Sequence, residues 1–350
     1  MVMEFNLKIA GEAGHGLLTI ELSLAEILAR TGYHFFATKN YMSRIRGGHN
    51  YHMIRIADGP VHALGANFWE MVLAFDEEAD RRHRPTLTED GILIDQEEIR
   101  QISQLMRHQF AEPMAVNTVL MGIVLSAIGF DPARLTDVGL PEDRRDMLVE
   151  GFRYAGGKNL TGKYLIKPSL ETLLRFDGNQ ALGLGAILGG CQFMAAYPMT
   201  PATSIMTYFA NAAKDLPIHF EQAEDEIAAV NMALGASYAG LRAMTASSGG
   251  GFDLMTEGLS LAGMTETPIV IMVSQRPGPS TGLPTRTEQG DLNLLVHAGH
   301  GEFPRMIFAP GTILEAIEIA RDAFDLADSL QCPILILTDQ YLADSIQTIE

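Results

Sequence analysis

A glycine-rich segment near the start of the chain, Gly11-Glu12-Ala13-Gly14-His15-Gly16, has the residue types to bind a phosphate. It follows a strand pattern and opens a helix pattern, where glycines let a backbone approach an anion at the positive end of the helix. A tight turn without a ligand explains the segment equally well. The next strand region, Tyr33–Lys39, ends in Thr38 and Lys39 rather than in an acidic residue. That ending disfavours NAD, whose ribose hydroxyl needs a carboxylate, and suits a phosphate.

Two arginines beside a glycine pair form a second candidate for binding an anion. The segment Ser43-Arg44-Ile45-Arg46-Gly47-Gly48-His49 places two guanidinium groups next to backbone that bends freely. Guanidinium groups grip a phosphate or a carboxylate through paired hydrogen bonds. The alternative is that both arginines are solvated on the surface.

A rigid turn between a predicted strand and a predicted helix is the third candidate, Tyr197-Pro198-Met199-Thr200-Pro201. We expect Thr200 to cap the following helix with Pro201 in its first turn, where the missing N–H costs nothing. Capping does not explain Tyr197-Pro198, which fixes a side chain where the strand ends. This additional rigidity predicts a functional site at the turn.

Three acidic residues, Glu224-Asp225-Glu226, stand at the start of an alanine-rich helix. Carboxylates there favour the helix dipole, which explains one or two of them without any function. Glu224, Ala228 and Asn231 share a face of small residues, on which a carboxylate can be pressed against a flat ligand.

Two further loops join strands to helices and carry hydroxyl groups and glycines. Thr245-Ala246-Ser247-Ser248-Gly249-Gly250-Gly251 offers hydroxyls and backbone N–H groups to an anion. The loop from Ser274 to Asp291 is long, contains Arg286 and is rich in Pro and Gly. Irregular loops of this length are usually functional or disordered, and the rigid prolines favour function.

Histidine and cysteine spacing predicts no metal site in this chain. His49 and His52, like His297 and His300, are three residues apart, without a further ligand at tetrahedral spacing, so we expect them to pack or to hydrogen bond. Cys191 and Cys332 form no CxxC arrangement. They provide neither a disulfide framework nor the ligands of an iron–sulfur cluster.

The bulk composition indicates a globular protein of about two domains, since 47% of its 350 residues are hydrophobic and 19% are charged. The longest apolar stretch, Thr118 to Phe130, is too short for a membrane span, and the first residues lack a signal-peptide pattern. We therefore expect a cytoplasmic protein. A net charge of −18 argues against nucleic acid and anionic membranes as partners.

Strand-like and helical patterns alternate twice along the chain, which predicts an α/β fold with two domains. The first occupies residues 1–160, with a helix at Leu17–Arg30, and residues 161–175 are the predicted linker. The second occupies residues 176–350, with helices that include Ala202–Lys214 and Phe252–Ala262. Its alternation predicts a doubly wound, mostly parallel sheet, with the candidate loops at the carboxyl ends of the strands.

Together these segments resemble a known family. Four segments, in their order along the chain, resemble the α subunit of 2-oxoacid:ferredoxin oxidoreductases. They are Tyr197–Pro201, the Glu224-Asp225-Glu226 helix start, Thr245–Gly251 and Ser280–Asp291. The segment Gly11–Gly16, with Ser43–Gly48, resembles the γ domain of that family, fused in front. The resemblance implies a γ-type α/β domain followed by a doubly wound domain of the thiamine-diphosphate-binding type.

The resemblance also implies an activity, the oxidative decarboxylation of a 2-oxoacid on thiamine diphosphate. Coenzyme A captures the acyl group, and iron–sulfur clusters pass electrons to ferredoxin. Within the family, 2-oxoglutarate is the expected substrate; a pyruvate or indolepyruvate type of oxidoreductase remains an alternative. A truncated, non-catalytic assembly subunit and a dinucleotide-binding protein are further alternatives.

Site residues follow from the motif positions. Glu224 matches the carboxylate that hydrogen-bonds the aminopyrimidine N1′ of thiamine, with Glu226 as the alternative. Thr200, with Tyr197, would hold the substrate, and Arg286 would pair with its carboxylate. The cofactor-binding positions implied in the γ-type domain are Gly14, Gly16, Arg46, Gly47 and Gly48.

A partner subunit is implied as well. The β subunit of the family carries a Gly-Asp-Gly…Asn motif for the diphosphate and Mg²⁺, of which Asp177-Gly178-Asn179 has a fragment. We therefore expect the diphosphate, the Mg²⁺ and the iron–sulfur cluster to be held by a β subunit, in a hetero-oligomer of dimers. Fused relatives continue into a further domain, which we expect to be absent beyond Glu350.

Overall fold

The structure, a computed structural model, describes residues 3–42, 47–65, 67–110, 115–169 and 171–350. The chain divides into two units, and its final residues return to the first of them. The first unit comprises Met1–Arg175 and Ile346–Glu350, and the second comprises Phe176–Ser345.

The first unit is built on a mixed sheet of seven strands. The strands are β1 (Glu4–Ala13), β2 (His34–Asn40), β3 (Gly47–Ala57), β4 (Trp69–Ala74), β5 (Leu87–Ile94), β6 (Leu174–Asp177) and β13 (Ile346–Ile349). Their order is β5-β4-β1-β3-β2-β13-β6. Strands β1, β4 and β5 are parallel, whereas β3 runs antiparallel to β1 and β2. Strand β1 lies inside the sheet and is buried from Phe5 to Gly11, although the polar residues Asn6 and Lys8 alternate with its apolar residues.

Helices cover this sheet. They are α1 (Leu17–Arg30), α2 (Glu77–His83), α3 (Gln96–Met106), α4 (Ala115–Ala127) and α5 (Glu142–Gly157), with two short 3₁₀ helices at Arg84–Thr86 and Pro132–Val138. The bounds of α1 agree with the sequence prediction, because its apolar residues recur at helical spacing. Helix α4 is apolar all round and almost entirely buried, as expected of a helix inside a core.

The segment predicted as a linker, residues 161–175, packs onto the first unit. The N–H groups of Tyr164, Ile166, Ser169 and Leu173 donate to carbonyl oxygens of that unit at 2.7–3.1 Å. Its glycines and polar residues predicted a linker, and its backbone N–H groups form hydrogen bonds with the first unit.

The second unit contains a parallel sheet, as the sequence predicted. Its strands are β7 (Phe193–Ala196), β8 (His219–Gln222), β9 (Ala243–Ser248), β10 (Ile269–Gln275), β11 (Met306–Phe308) and β12 (Pro333–Asp339). Their order is β11-β12-β10-β9-β7-β8, and every recorded pairing is parallel. Strands β9, β10 and β12 are buried along their whole length because helices cover both faces.

The helices of the second unit are α6 (Gly178–Leu188), α7 (Thr203–Ala212), α8 (Glu226–Tyr238), α9 (Gly249–Leu254), α10 (Thr256–Thr265), α11 (Leu292–His297), α12 (Ile313–Leu330) and α13 (Gln340–Asp344). The helix predicted at Phe252–Ala262 is two helices, α9 and α10, that meet at Met255. Among the residues that the structure describes, no helix combines the length and apolar character needed to cross a membrane.

One predicted helix start is wrong. Helix α7 begins at Thr203 with Ala202 at its N-cap, so Thr200 does not cap it and Pro201 is not in its first turn. Both residues belong to a turn between strand β7 and the helix.

Candidate active site

The predicted motifs of the second unit meet at one edge of its sheet. Parallel strands end on the same side, so the loops that follow β7, β8, β9 and β10 gather there. These loops, together with the first turns of α8 and α9, contain Tyr197–Pro201, Glu224–Glu226, Gly249–Gly251 and Arg276. The sequence predicted this meeting of motifs at the carboxyl ends of the strands, and the structure confirms it.

Arg276, which sequence reasoning did not single out, holds the turn that contains Thr200. The residue is only 8% exposed, and its Nη1 donates to the carbonyl oxygen of Thr200 at 2.7 Å. Burial lowers the pKa of Arg276, and the charge of the Glu226 carboxylate opposes that shift. A buried cation needs an anion nearby. The signal in the sequence was the position of Arg276 directly after an apolar strand.

The acidic residues at the start of α8 have different environments. Glu226 is 3% exposed, and its Oε1 has no hydrogen-bond partner among the described residues. Asp225 caps the helix, accepting a hydrogen bond from the N–H of Ala228 at 2.7 Å. Glu224 lies on the surface. Its position at the start of the helix, where it caps the first turn, therefore accounts for Asp225. Of the three acidic residues, Glu226 is the one whose carboxylate is withdrawn from water.

The glycine run at the start of α9 lets polar groups approach its backbone. A methyl group on Gly251 would overlap Ser247 Oγ and stand 2.7 Å from Glu226 Oε1. One on Gly249 would overlap the carboxylate of Asp291, whose N–H donates to Gln275 Oε1 at 2.9 Å. Burial, and secondarily the charge of Glu288, raises the pKa of Asp291.

Buried hydroxyl groups line the three central strands near this edge. Several have no hydrogen-bond partner among the described residues: Thr245, Ser247, Ser248, Ser274 and Thr338. Buried hydroxyls without partners are costly and uncommon in native proteins. They mark this part of an otherwise apolar sheet as polar, and Ser247 Oγ and Glu226 Oε1 both lie against the backbone of Gly251.

The other two residues predicted to bind substrate lie at the surface of the same edge. Tyr197 is 37% exposed where strand β7 has ended. Arg286 is partly buried in the loop after β10, and its N–H donates to the carbonyl oxygen of Leu283 at 3.0 Å. The Gly278-Pro279 peptide in this loop is cis, as is Thr200-Pro201.

The glycine-rich segment of the first unit borders a cleft. Gly14 and Gly16 adopt φ angles of 109° and 79°, which favour glycine. The cleft has a volume of about 280 Å³, and its lining includes Gly14, His15, Arg100 and Asn117. Asn117 Nδ2 donates to the carbonyl oxygen of His15 at 2.9 Å. Gly47 and Gly48 begin strand β3, whereas Arg46 lies outside the described residues.

His49 and His52 make hydrogen bonds inside the first unit, as the sequence predicted. His52 Nδ1 is 2.7 Å from Glu21 Oε2. His49 Nε2 is 2.8 Å from His83 Nε2, and His83 Nδ1 is 3.5 Å from the ammonium group of Lys8. Among the residues described, no three His, Cys, Asp or Glu side chains are grouped as metal ligands.

Comparison with known protein families matches most of the chain. Residues 6–138 match the family described as pyruvate ferredoxin/flavodoxin oxidoreductase. Residues 184–350 match the family described as pyruvate flavodoxin/ferredoxin oxidoreductase, thiamine diphosphate-binding.

Individual relatives agree with these matches. The 2-oxoacid:ferredoxin oxidoreductase subunit alpha of Sulfolobus sp is 32% identical over 99% of this chain and 66% of its own length. The 2-oxoglutarate synthase subunit KorA of Methanocaldococcus jannaschii is 42% identical over 47% of this chain and 45% of its own. This chain thus spans 66% of the length of the Sulfolobus relative.

A solved structure has the same fold. The 2-oxoglutarate:ferredoxin oxidoreductase of Magnetococcus marinus, described with 2-oxoglutarate, coenzyme A and succinyl-CoA bound, superposes with a TM-score of 0.88 at 31% identity. The match covers 99% of this chain and 65% of that one.

Proposed function

This chain belongs to the 2-oxoacid:ferredoxin oxidoreductase family, and we propose that it is the α-type subunit, with a γ-type domain in front, of a thiamine-diphosphate-dependent enzyme. The enzyme converts a 2-oxoacid, coenzyme A and oxidised ferredoxin into an acyl-CoA, CO₂ and reduced ferredoxin. The proposed substrate is 2-oxoglutarate, because a relative that is 42% identical is named 2-oxoglutarate synthase and the similar structure was described with 2-oxoglutarate bound.

The observation that carries this proposal is the buried carboxylate of Glu226. A carboxylate withdrawn from water requires a hydrogen-bond donor, and Oε1 has none among the described residues. A protonated ring nitrogen of the aminopyrimidine would supply that donor, so the site fits thiamine. When bound, the thiamine group supplies the electron sink that decarboxylation of a 2-oxoacid requires.

Glu226, rather than Glu224, is the proposed partner of the aminopyrimidine. The motif position favoured Glu224, but that side chain is exposed, whereas Glu226 is 3% exposed. A carboxylate that exchanges a proton with a ring nitrogen needs a dry, fixed environment, because its hydrogen bond is then strong and directional. Glu226 already has that environment within this chain.

The 2-oxoacid is proposed to bind at the turn that holds Thr200, with Tyr197 beside it. The hydrogen bond from Arg276 uses the carbonyl oxygen of Thr200, which leaves the threonine hydroxyl available to a substrate oxygen. Arg286 remains the proposed partner of the substrate carboxylate. Arg276 adds a second, buried cation at the same edge, where paired guanidinium hydrogen bonds would orient an anion.

A β-type partner subunit is proposed to hold the diphosphate, the Mg²⁺ and the iron–sulfur cluster. Helix α8, which carries Glu226, exposes large apolar side chains beyond it: Ile227 is 50% and Tyr238 is 81% exposed. Apolar residues on the same helix as a site residue suit a protein interface that closes over the cofactor. Ferredoxin is the proposed electron acceptor of the assembled complex.

Coenzyme A is proposed to contact the first unit at the glycine-rich cleft. Gly14 lines the cleft with open space where a side chain would stand, and Arg100 supplies a cation to the same cleft. Gly47 and Gly48, with Arg46, remain further candidates for this contact.

The activity test is reconstitution with a β-type partner, thiamine diphosphate and Mg²⁺. We expect reduction of ferredoxin, or of a viologen dye, to require both 2-oxoglutarate and coenzyme A, with succinyl-CoA as the product. A complex that contains thiamine diphosphate but shows no acceptor reduction with any 2-oxoacid would reject the proposed function.

A further inference from the structure

Asn179, in the first turn of helix α6, contacts the turn that holds Thr200. Its side chain is 1% exposed, and Nδ2 donates to the carbonyl oxygen of Pro201 at 2.7 Å and to Ser204 Oγ at 2.6 Å. The fragment Asp177-Gly178-Asn179 looked like part of a diphosphate motif, but Asp177 caps α6 and Asn179 faces the turn. The contact joins residues that are far apart in sequence.

The orientation of this amide is fixed by its surroundings. The carbonyl oxygen of Pro201 can only accept a hydrogen bond, so the NH₂ group of Asn179, and not its oxygen, must face it. The amide oxygen then points away and has no hydrogen-bond partner among the described residues.

Two successive carbonyl oxygens of the turn are therefore held by side chains from different elements. Arg276, after strand β10, holds that of Thr200, and Asn179, from α6, holds that of Pro201. Helix α7 begins only at Thr203, so these two carbonyl groups lie outside the regular helical pattern. Buried carbonyl groups outside helices and sheets must find such partners.

We propose that Asn179 is a positioning residue for the 2-oxoacid, which acts by clamping the Pro201 carbonyl and so fixing where the neighbouring Thr200 presents its hydroxyl. This inference rests on the proposed function, since it deepens the role of Thr200. The physical reason is preorganisation. A turn that is already rigid loses less conformational entropy when substrate binds, and a displacement of about 1 Å in a positioning group costs up to about a hundredfold in rate.

The decisive variant is Asn179→Ala, assayed in the reconstituted complex. We expect the KM for the 2-oxoacid to rise by about tenfold to a hundredfold. The KM for coenzyme A should stay within about twofold, because the clamp acts on the oxoacid site alone. A residue with a merely structural role would not separate the two substrates in this way.

Two control variants leave the hydrogen bond between Asn179 and the Pro201 carbonyl in place. Ser204→Ala removes the other acceptor of the amide but leaves the Pro201 contact, so its kinetics should remain close to those of the wild type. Gln180→Ala breaks the capping box of the same helix without touching the turn, and it shows what loss of α6 stability alone does.

Asn179→Asp, which conserves volume, replaces Asn179→Ala if the alanine variant does not fold. Its carboxylate oxygen would repel the Pro201 carbonyl.

The outcomes are distinguishable from failure of the proposed function. If the wild-type complex has no 2-oxoacid-dependent activity, the proposed function fails first. If it is active and the Asn179 variants behave like Gln180→Ala, with equal changes for both substrates, the positioning role is overturned. A selective change for the 2-oxoacid, absent from both controls, supports it.

Discussion

The carboxylate of Glu226 lies against the backbone of Gly251, so close that a methyl group there would stand 2.7 Å from Glu226 Oε1 and overlap Ser247 Oγ. The glycine thus brings the start of α9 and the start of α8 together around one buried carboxylate. This contact depends on the absence of a side chain at residue 251.

Gly251→Ala is therefore expected to destabilise the chain, by about 1–3 kcal/mol, because the buried site has no room for the methyl group. Gly235→Ala is the matched control: it lies within helix α8 with no heavy atom within 4 Å of the added methyl group. That control should gain roughly 0.5–1 kcal/mol, since alanine favours helices. Urea unfolding of the isolated chain measures both, and equal midpoints would contradict the packing described.

Replacement of the two glutamates separates their roles. Glu226→Gln is expected to lower kcat of the reconstituted complex by about a hundredfold or more, because the amide cannot exchange a proton with the aminopyrimidine. Glu224→Gln should stay within about twofold of the wild type, since that side chain is exposed. Steady-state reduction of a viologen dye provides the measurement. The reverse result would return the role to Glu224.

The two arginines of the loop after β10 are expected to act differently. Arg286→Ala would remove the proposed charged hydrogen bond to the substrate, worth about 1.5–3 kcal/mol, and should raise the KM for the 2-oxoacid by about tenfold or more. Arg276→Ala should also lower kcat, because it releases the Thr200 carbonyl and removes a cation whose charge acts on Glu226. Kinetics with varied 2-oxoacid test both variants. Unchanged constants for Arg286→Ala would remove its proposed role.

The first unit should lose stability in acid through His83. Burial, and then the charges of Lys8, His49 and Arg82, lower the pKa of His83 to about 3, although Asp76 opposes the shift. The folded state thus favours the neutral ring. Its contribution to stability is complete above the unfolded-state pKa of about 6.5 and is lost as the pH falls from there towards 3.

His83→Gln is accordingly expected to flatten the decline in the free energy of unfolding between pH 7 and pH 5. Denaturant titrations at several pH values measure this slope. The exposed His300 provides the control, because His300→Gln should leave the decline as it is in the wild type. A slope that is the same in all three proteins would mean that His83 is free to take up a proton in the folded chain.

Local patterns in the sequence determined much of the architecture. The apolar spacing of Leu17–Arg30 predicted a helix with the bounds that the structure has. The alternation of strands and helices predicted the parallel sheet, and with it the meeting of the motifs at the carboxyl ends of the strands. These features follow from patterns among residues that are close in sequence, so the sequence alone is enough to predict them.

Contacts between distant residues decided the rest. Thr200 was predicted to cap a helix, but Arg276 and Asn179 hold its turn outside the helix, which starts at Thr203. Strand β13, near the end of the chain, pairs with β2, near its start. No residue pattern near Ile346 predicts that pairing.

The choice between Glu224 and Glu226 illustrates the same division. The sequence placed carboxylates at the start of a helix at the edge of a parallel sheet. Which of them is withdrawn from water depends on what packs against the start of α8, including a glycine in another element that makes room for the side chain. Burial is a property of the packed structure, because it is set by neighbours that the local sequence does not contain.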